Sequence, residues 1–392
     1  MSNDHVPRLQ IVVDDALVPL HEAGSQVVEA PHHGSELVEV DLLRGRRSQS
    51  WDPGQDLAAL VVDAKRPGNP WHAGGLEVAQ DPVPCVDLYA LSQEEGEMTE
   101  RISLDGRVAV VTGAGRGLGR AYVELLAERG ARVVVNDLGA DVSGSGKDPT
   151  IAEQVADLVR TRGGEAIANH SDVAAPEGGS DLIATTIEHF GRVDLLVNNA
   201  GICGSQLFED ATLDDFDHYW RVHVGGPVNT VKAAWPHMVA QRHGKIILTT
   251  SVSGLFGLRG QATYAAAKCA VVGLMRILAI EGAEHGILVN TISPAAYTRM
   301  HPAAGSRTPE AEGRRTMPVE AVAPAVVWLA SDRCSETNSI YNVTAGAIQR
   351  IAIVMGPGFY DPHLTPESIA ENSAQLESIE GFSEPGPFEP GT

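Results

Sequence analysis

The stretch RVAVVTGAGRGLG, residues 107–119, decides the fold of this chain. Its first half is a short valine-rich run with no polar alternation, the pattern of a strand buried on both faces. Its second half is a turn in which Gly113, Gly117 and Gly119 allow a tight bend and a close backbone approach, with Arg116 and Leu118 between them. An amphipathic helix follows, through Arg129. A glycine turn between a strand and a helix N-terminus is a place where a pyrophosphate can sit, because free N–H groups and the helix dipole both favour anions there. Glycines alone would mean only a flexible loop; the strand before them and the helix after them make the motif specific.

Outward from this turn the same alternation repeats. ARVVVND, EAIAN, VDLLVNNAG, KIILTTS, ILVNTISP and IYNVT read as strands. Between them lie helical stretches near residues 151–162, one ending near Phe190, a long one near 214–242, the stretch containing Tyr264, and one near 319–330. Apolar strands alternating with helices form a parallel sheet covered on both faces. Right-handed crossovers then give an α/β, Rossmann-type doubly wound sheet of about seven strands.

The second strand ends in Asn136-Asp137, 24 residues past Gly113. A carboxylate there accepts hydrogen bonds from ribose hydroxyls and repels the extra phosphate of NADP, so Asp137 favours NAD. Arg116 argues the other way, since an arginine in the glycine turn can meet that phosphate. As an alternative, Asp137 is a turn residue before Gly139.

QATYAAAKCAVVG, residues 261–273, sets one of only five lysines four residues after a tyrosine. That spacing puts Tyr264 and Lys268 on one helix face, a turn apart. A cation there lowers a phenol pKa from ~10 and suits the tyrosine to proton exchange. Alone, the pair is a weak motif.

Taken together these residues resemble the short-chain dehydrogenase/reductase family over about Leu104 to Gly346. The resemblance rests on TGAGRGLG, on NNAG at Asn198–Gly201, and on Ser251 thirteen residues ahead of YAAAK. It implies Tyr264 as general acid/base, Lys268 lowering its pKa and bonding the nicotinamide ribose, and Ser251 holding the substrate oxygen. Ser253 competes for that last role, and the spacing favours Ser251. Asn199 would support the cofactor, with Asp172 and Val173 flanking the adenine. An asparagine that relays a proton through water in most of the family is replaced, on alignment of HVGGPVNTVKAAWPHM, by His223. GRAYVELLAERGARVVVNDLG, RVHVGG, AAWPHM and LAIEG are further similar to the dehydrogenase part of the type 2 peroxisomal multifunctional enzymes, which oxidise (3R)-hydroxyacyl-CoA. SPAAYTRM lacks the Pro-Gly pair common in the wider family but is similar to this narrower group. The implied reaction is NAD-dependent oxidation of a secondary alcohol, of which a 3-hydroxyacyl-CoA is the leading candidate. An NADPH-dependent 3-oxoacyl or other carbonyl reductase and a nucleotide-binding regulator without turnover are the alternatives. Arg307, Arg314 and Arg315, after the sixth strand, could meet CoA phosphates.

The helix AAAKCAVVGLMRILAIEG is apolar nearly all round. One side can face the sheet. The other can face a partner subunit, as in the family's dimers and tetramers, or a covering segment of the same chain.

Bulk properties bound the rest. A formal charge of −22 argues against nucleic acid and anionic membrane as partners. Cys85, Cys203, Cys269 and Cys334 are scattered, which offers neither a metal site nor a disulfide framework and fits a cytoplasmic protein. No signal peptide is evident, and no apolar run reads as long enough to span a bilayer. Residues 1–97 carry 17 acidic and 6 basic residues, so half the net charge sits in a quarter of the chain. LQIVV there reads equally as a strand or a helical turn. Met98 resembles a natural start, QEEGE could be encoded by a ribosome-binding sequence, and residues 1–97 are expected to be translated upstream sequence or a disordered arm. The enzyme domain then spans 98–350, and 351–392 is a tail with a helix capped by Thr365 and opened by Pro366.

Overall fold

The structure is a computed structural model and describes residues 100–298, 317–344 and 346–386, together with five short strands nearer the N-terminus. The chain divides into two units, Met1–Gly96 and Glu97–Thr392. In the first, β1 (Leu9–Val13) pairs antiparallel with β2 (Ala16–Leu20). The strands β3 (Gln26–Val28), β4 (Val38–Val40) and β5 (Val62–Ala64) form a second antiparallel sheet. LQIVV is thus a strand. Expectations about the other residues up to 99, and about Arg307, Arg314 and Arg315, lie outside the described residues.

The second unit is built on β6 (Val108–Thr112), β7 (Arg132–Asn136), β8 (Ala166–Asn169), β9 (Leu195–Asn198), β10 (Gly244–Thr249), β11 (Ile287–Ala295), β12 (Ile340–Thr344) and β13 (Ala347–Ile351). Their order is β13-β12-β11-β10-β9-β6-β7-β8. All neighbours are parallel except β12 and β13. The doubly wound sheet is therefore as expected, with eight strands rather than about seven. The extra one is an antiparallel edge whose first four residues are exposed.

Alternation along β6 splits the core in two. Ala109 and Val111 join the cluster under one helical layer. Val110 joins the other, opposite Val134 and Leu196 on the neighbouring strands. Helices α1 (Gly117–Glu128), α2 (Thr150–Thr161) and α8 (Ala323–Ala330) pack against the first cluster. The second lies under α3 (Pro176–Phe190), α5 (Gly226–Gln241) and α7 (Ala262–Gly282).

The long helix expected over 214–242 is interrupted. The helix α4 (Leu213–Trp220), opened by a capping box of Thr212 and Asp215, gives way to a π turn over Arg221–Gly225 before α5 begins. Such a turn inserts one residue into the helical register and re-aims the side chains beside it. His223 lies within it.

One composition reading is corrected. Residues Ala262–His285, α7 and the turn after it, are long and apolar enough to cross a bilayer. Buried Lys268, Val271, Val272, Met275 and Ala279 pack this helix onto the sheet, so it is a core helix. Beyond β13, Thr365 caps α9 (Pro366–Glu371), and α10 (Ser373–Glu377) follows. The tail then returns to the sheet edge, where Arg350 grips Glu384 through two bonds of 2.8 and 2.6 Å.

Candidate functional site

The strand order reverses between β6 and β9, and there the crossovers leave a crevice at the C-terminal strand ends. A cleft of about 680 Å³ opens at this point. Gly113, Arg116, Gly117, Leu118, Gly119, Asp137, Asp172, Val173 and Asn199 all line it. Each dinucleotide-binding position expected from the sequence outside the Tyr264 helix therefore faces one cavity.

Gly113 and Gly119 have no room for a side chain. A Cβ on Gly113, whose φ is +62°, would stand 2.7 Å from Ala200 Cα, and one on Gly119 would collide with the Gly113 carbonyl oxygen. Asn199 braces the turn by donating from Nδ2 to the Thr112 and Gly113 carbonyls, both at 3.0 Å. The Thr112 hydroxyl accepts from the backbone N–H groups of Asn199 and Ala200. Thr112 stands inside the quoted motif, but its role depends on β9 lying beside β6, which the spacing does not disclose.

Asp137 accepts from the Gly115 N–H with one oxygen and from the Gly139 N–H with the other, each at 2.7 Å. The carboxylate thus fixes the glycine turn and faces the cleft together. Arg116 donates to the Ala140 carbonyl at 3.2 Å. Asp172 caps its own turn by accepting from the Ala174 N–H. Asn229 on α5 donates to the carbonyls of Val173 and Ala175 and holds that wall in place. No signal in the sequence marks Asn229.

A second group of side chains lies behind the cleft. Ser251 lies two residues past the end of β10 and caps the short helix α6 (Val252–Phe256), accepting from the Ser253 N–H. Its hydroxyl lies close enough to the Tyr264 phenol to oppose the rise in that group's pKa. Ser253, the competing serine, is buried with its hydroxyl unpaired among the described residues. Lys268 is buried one turn beyond Tyr264, and its Nζ donates to the Thr249 carbonyl at 2.8 Å. The nitrogen stands 5.6 Å from the centre of the Tyr264 ring.

The electrostatics differ from what the helix spacing suggests. Burial pushes the Tyr264 pKa up to about 12, with the nearby Ser251 hydroxyl opposing it. Burial brings Lys268 down to about 7. The Lys268 amine is turned to the Thr249 carbonyl, and burial is the largest influence on both groups.

His223 links the two groups. It is buried, and its Nε2 lies 2.9 Å from the Ile202 carbonyl and 3.3 Å from the Ile202 nitrogen. The carbonyl accepts from Nε2 in one tautomer, and the Ile202 N–H donates to Nε2 in the other. Nδ1 is buried without a partner among the described residues. Burial, then the charge of Lys268, holds its pKa well below the usual value, so the imidazole is neutral. Its ring stacks on Tyr219 and meets the Tyr264 ring edge-on at 5.1 Å.

A glycine cradle at a strand-order reversal, with Ser, Tyr and Lys held behind it, matches a known family model. Residues 107–307 fit the model described as short chain dehydrogenase. The chain is a short-chain dehydrogenase. The mouse peroxisomal multifunctional enzyme type 2 is 40% identical over 299 residues, 75% of this chain and 40% of its own length. The chain therefore spans well under half of that relative. A putative short-chain type dehydrogenase/reductase of Mycobacterium tuberculosis is 40% identical over 276 residues, 70% of this chain and 95% of its own. A 7α-hydroxysteroid dehydrogenase, solved with NADH and 7-oxo glycochenodeoxycholic acid, superposes with a TM-score of 0.56 at 30% identity, over 62% of this chain and 95% of its own. This short-chain dehydrogenase is accordingly an oxidoreductase acting on CH–OH groups.

Proposed function

We propose that the chain oxidises the secondary alcohol of a 3-hydroxyacyl-CoA to the ketone, with NAD as cofactor and Tyr264 as general acid/base. The observation that carries this reading is the gathering of Ser251, Tyr264 and a buried Lys268, whose nitrogen stands 5.6 Å from the Tyr264 ring centre. The cleft fits a dinucleotide: a Cβ on Gly113 or Gly119 would collide with the turn's own backbone or with Asn199 and Ala200, so glycine lets the turn close tightly at the cleft wall. Gly113, Arg116, Gly117, Leu118 and Gly119 would hold the pyrophosphate, Asp137 a ribose, Asp172 and Val173 the adenine, and Asn199 the turn itself. Tyr264 and Lys268 would hold the nicotinamide side. NAD, when bound, supplies the hydride acceptor. The Tyr264 oxygen takes the proton of the substrate hydroxyl, and the Ser251 hydroxyl holds the same oxygen as charge develops on it. The acyl-CoA preference rests on the mouse relative and the sequence motifs similar to its group. Turnover across CoA thioesters and free alcohols with NAD tests it. Activity confined to non-CoA alcohols would overturn the substrate assignment.

Asp137, which fixes the Gly139 turn at the cleft wall, supports NAD over NADP, and Arg116 gives one of its N–H groups to the Ala140 carbonyl. The kcat/KM with NAD is expected to exceed that with NADP by more than about fivefold, as a carboxylate at ribose distance would repel the extra phosphate by ~1 kcal/mol or more. Parity between the two would favour the reductase alternative.

His223 has a part in proton transfer under this reading: a neutral imidazole with an unpaired Nδ1 lies against the Tyr264 ring. His223→Ala is expected to slow turnover by about tenfold or more while changing NADH affinity far less. An unchanged rate at every pH would remove His223 from the reaction. We also place the enzyme domain at about 98–350, in the cytoplasm, as a homodimer or homotetramer. Ile277 and Ile280 on α7 are about half exposed (53% and 46%) on the side away from the sheet, which supports a partner there.

A further inference from the structure

The segment between β7 and α2 folds as a closed loop. Its neck is pinched by the Asp148 N–H donating to the Leu138 carbonyl at 3.0 Å. Inside, Asp141 Oδ1 accepts from the Ser143 N–H, the Ser143 hydroxyl and the Ser145 N–H at 2.8, 2.6 and 3.0 Å. Ala140, Asp141, Val142 and Gly144 face the cleft, so this loop is one of its walls.

The tip of the loop is tied to the far side. The Cys203 N–H donates to the Val142 carbonyl at 3.0 Å. His218 on α4, half-buried, lies with Nε2 2.9 Å from the Ser143 carbonyl, where an acceptor obliges the nitrogen to donate. Gly144, with φ +88°, packs under both tethers: a Cβ there would stand 3.0 Å from Ile202 Cγ2 and 3.4 Å from His218 Nε2. The internal turn is self-contained, and the Cys203 tether is backbone. His218 is thus the tether between loop and α4 that a side-chain change removes.

We propose that His218 is a positioning residue for the dinucleotide: it straps the 139–148 loop across the cleft and sets how fast the cofactor leaves. This rests on the reading of the cleft as a nicotinamide dinucleotide site. The imidazole and the imidazolium can both donate from Nε2, so the strap does not depend on which form is present. The carbonyl it holds is main-chain, so its effect is on the loop as a whole, not on the reacting atoms behind His223.

The test is stopped-flow release of NADH from the full chain, beside single-turnover hydride transfer and thermal unfolding. His218→Ala should speed release about fivefold, the effect of losing one neutral hydrogen bond, with hydride transfer changed less than release. His218→Gln, which keeps an N–H donor, should recover most of the effect. Gly144→Ala, which wedges the loop from Ile202 with the imidazole intact, should also speed release. Release from a folded His218→Ala protein at the parent rate would overturn the strap. So would hydride transfer falling as far as release rises, with the glutamine variant no better, because that is a general structural defect. A parent protein that binds neither NADH nor NADPH overturns the dinucleotide reading itself, and the strap with it.

Discussion

Replacing Tyr264 by phenylalanine is expected to lower kcat by about 10³-fold, within the usual 10²–10⁴ range for a general acid/base, and to leave NADH affinity nearly unchanged. The change deletes one oxygen and keeps the ring. The edge contacts with His223 at 5.1 Å and Tyr219 at 6.4 Å survive, so the pocket should fold as before. What is lost is the oxygen beside the Ser251 hydroxyl. With a pKa pushed up to about 12, the phenol is protonated at neutral pH in the free enzyme and ready to give a proton in the reductive direction. To take a proton in the oxidative direction, it needs a cation close by. Single-turnover rates in both directions, with NADH binding followed by fluorescence, check the assignment. Equal turnover in the phenylalanine variant would end the case for Tyr264.

The parts of this site that could be read from the chain are those in which neighbours in sequence are neighbours in space. TGAGRGLG spells its own turn, and valine-rich runs at helical intervals spell the sheet. Asp137 is legible because a strand of known length carries it to the cleft. The misread features are tertiary. A spacing of four says that Tyr264 and Lys268 share a helix face, but not where a four-carbon stem sends its amine. The Thr249 carbonyl on β10 settles that. Asn229 is one polar residue on a helix until α5 packs beside the Val173 wall. The π turn that sets His223 has no local signal, since RVHVGG continues the apolar spacing of α4 and α5. β13 escaped for the opposite reason. Its first four residues are exposed, so AIQRI shows neither burial nor alternation. The length of α7 is underread, because a helix packed on a sheet by one face and apolar on the other satisfies the same length and hydropathy measure as a membrane span.

Replacing Lys268 by methionine should separate function from stability. Activity is expected to fall about 10²- to 10³-fold, the range for removing a preorganised group from a site of developing charge. Stability of the cofactor-free protein should move the other way at neutral pH. Lys268 is buried with a carbonyl as its hydrogen-bond acceptor, and its pKa drops from 10.5 in the open chain to about 7 in the fold. Below about pH 7 both states hold the proton, and the full cost of a buried cation weakens the fold. Between about 7 and 10.5 the unfolded chain keeps the proton that the folded one has shed. Stability from this group therefore rises with pH in that window, by up to ~1.4 kcal/mol per unit. Above 10.5 the contribution levels off. The methionine variant carries no such slope, so its advantage should be largest near neutrality and shrink as the solution becomes alkaline. The unpaired Thr249 carbonyl subtracts a constant from it. Urea unfolding of both proteins without dinucleotide, at about pH 6.5 and about pH 9.5, reads the difference directly. Parallel pH profiles would mean that Lys268 is not the desolvated cation drawn here. Saturating NADH in the same experiment gives the complementary result. If a bound dinucleotide gives the ammonium a partner, the parent should lose much of its alkaline slope, and the methionine variant should gain less stability from the ligand than the parent does.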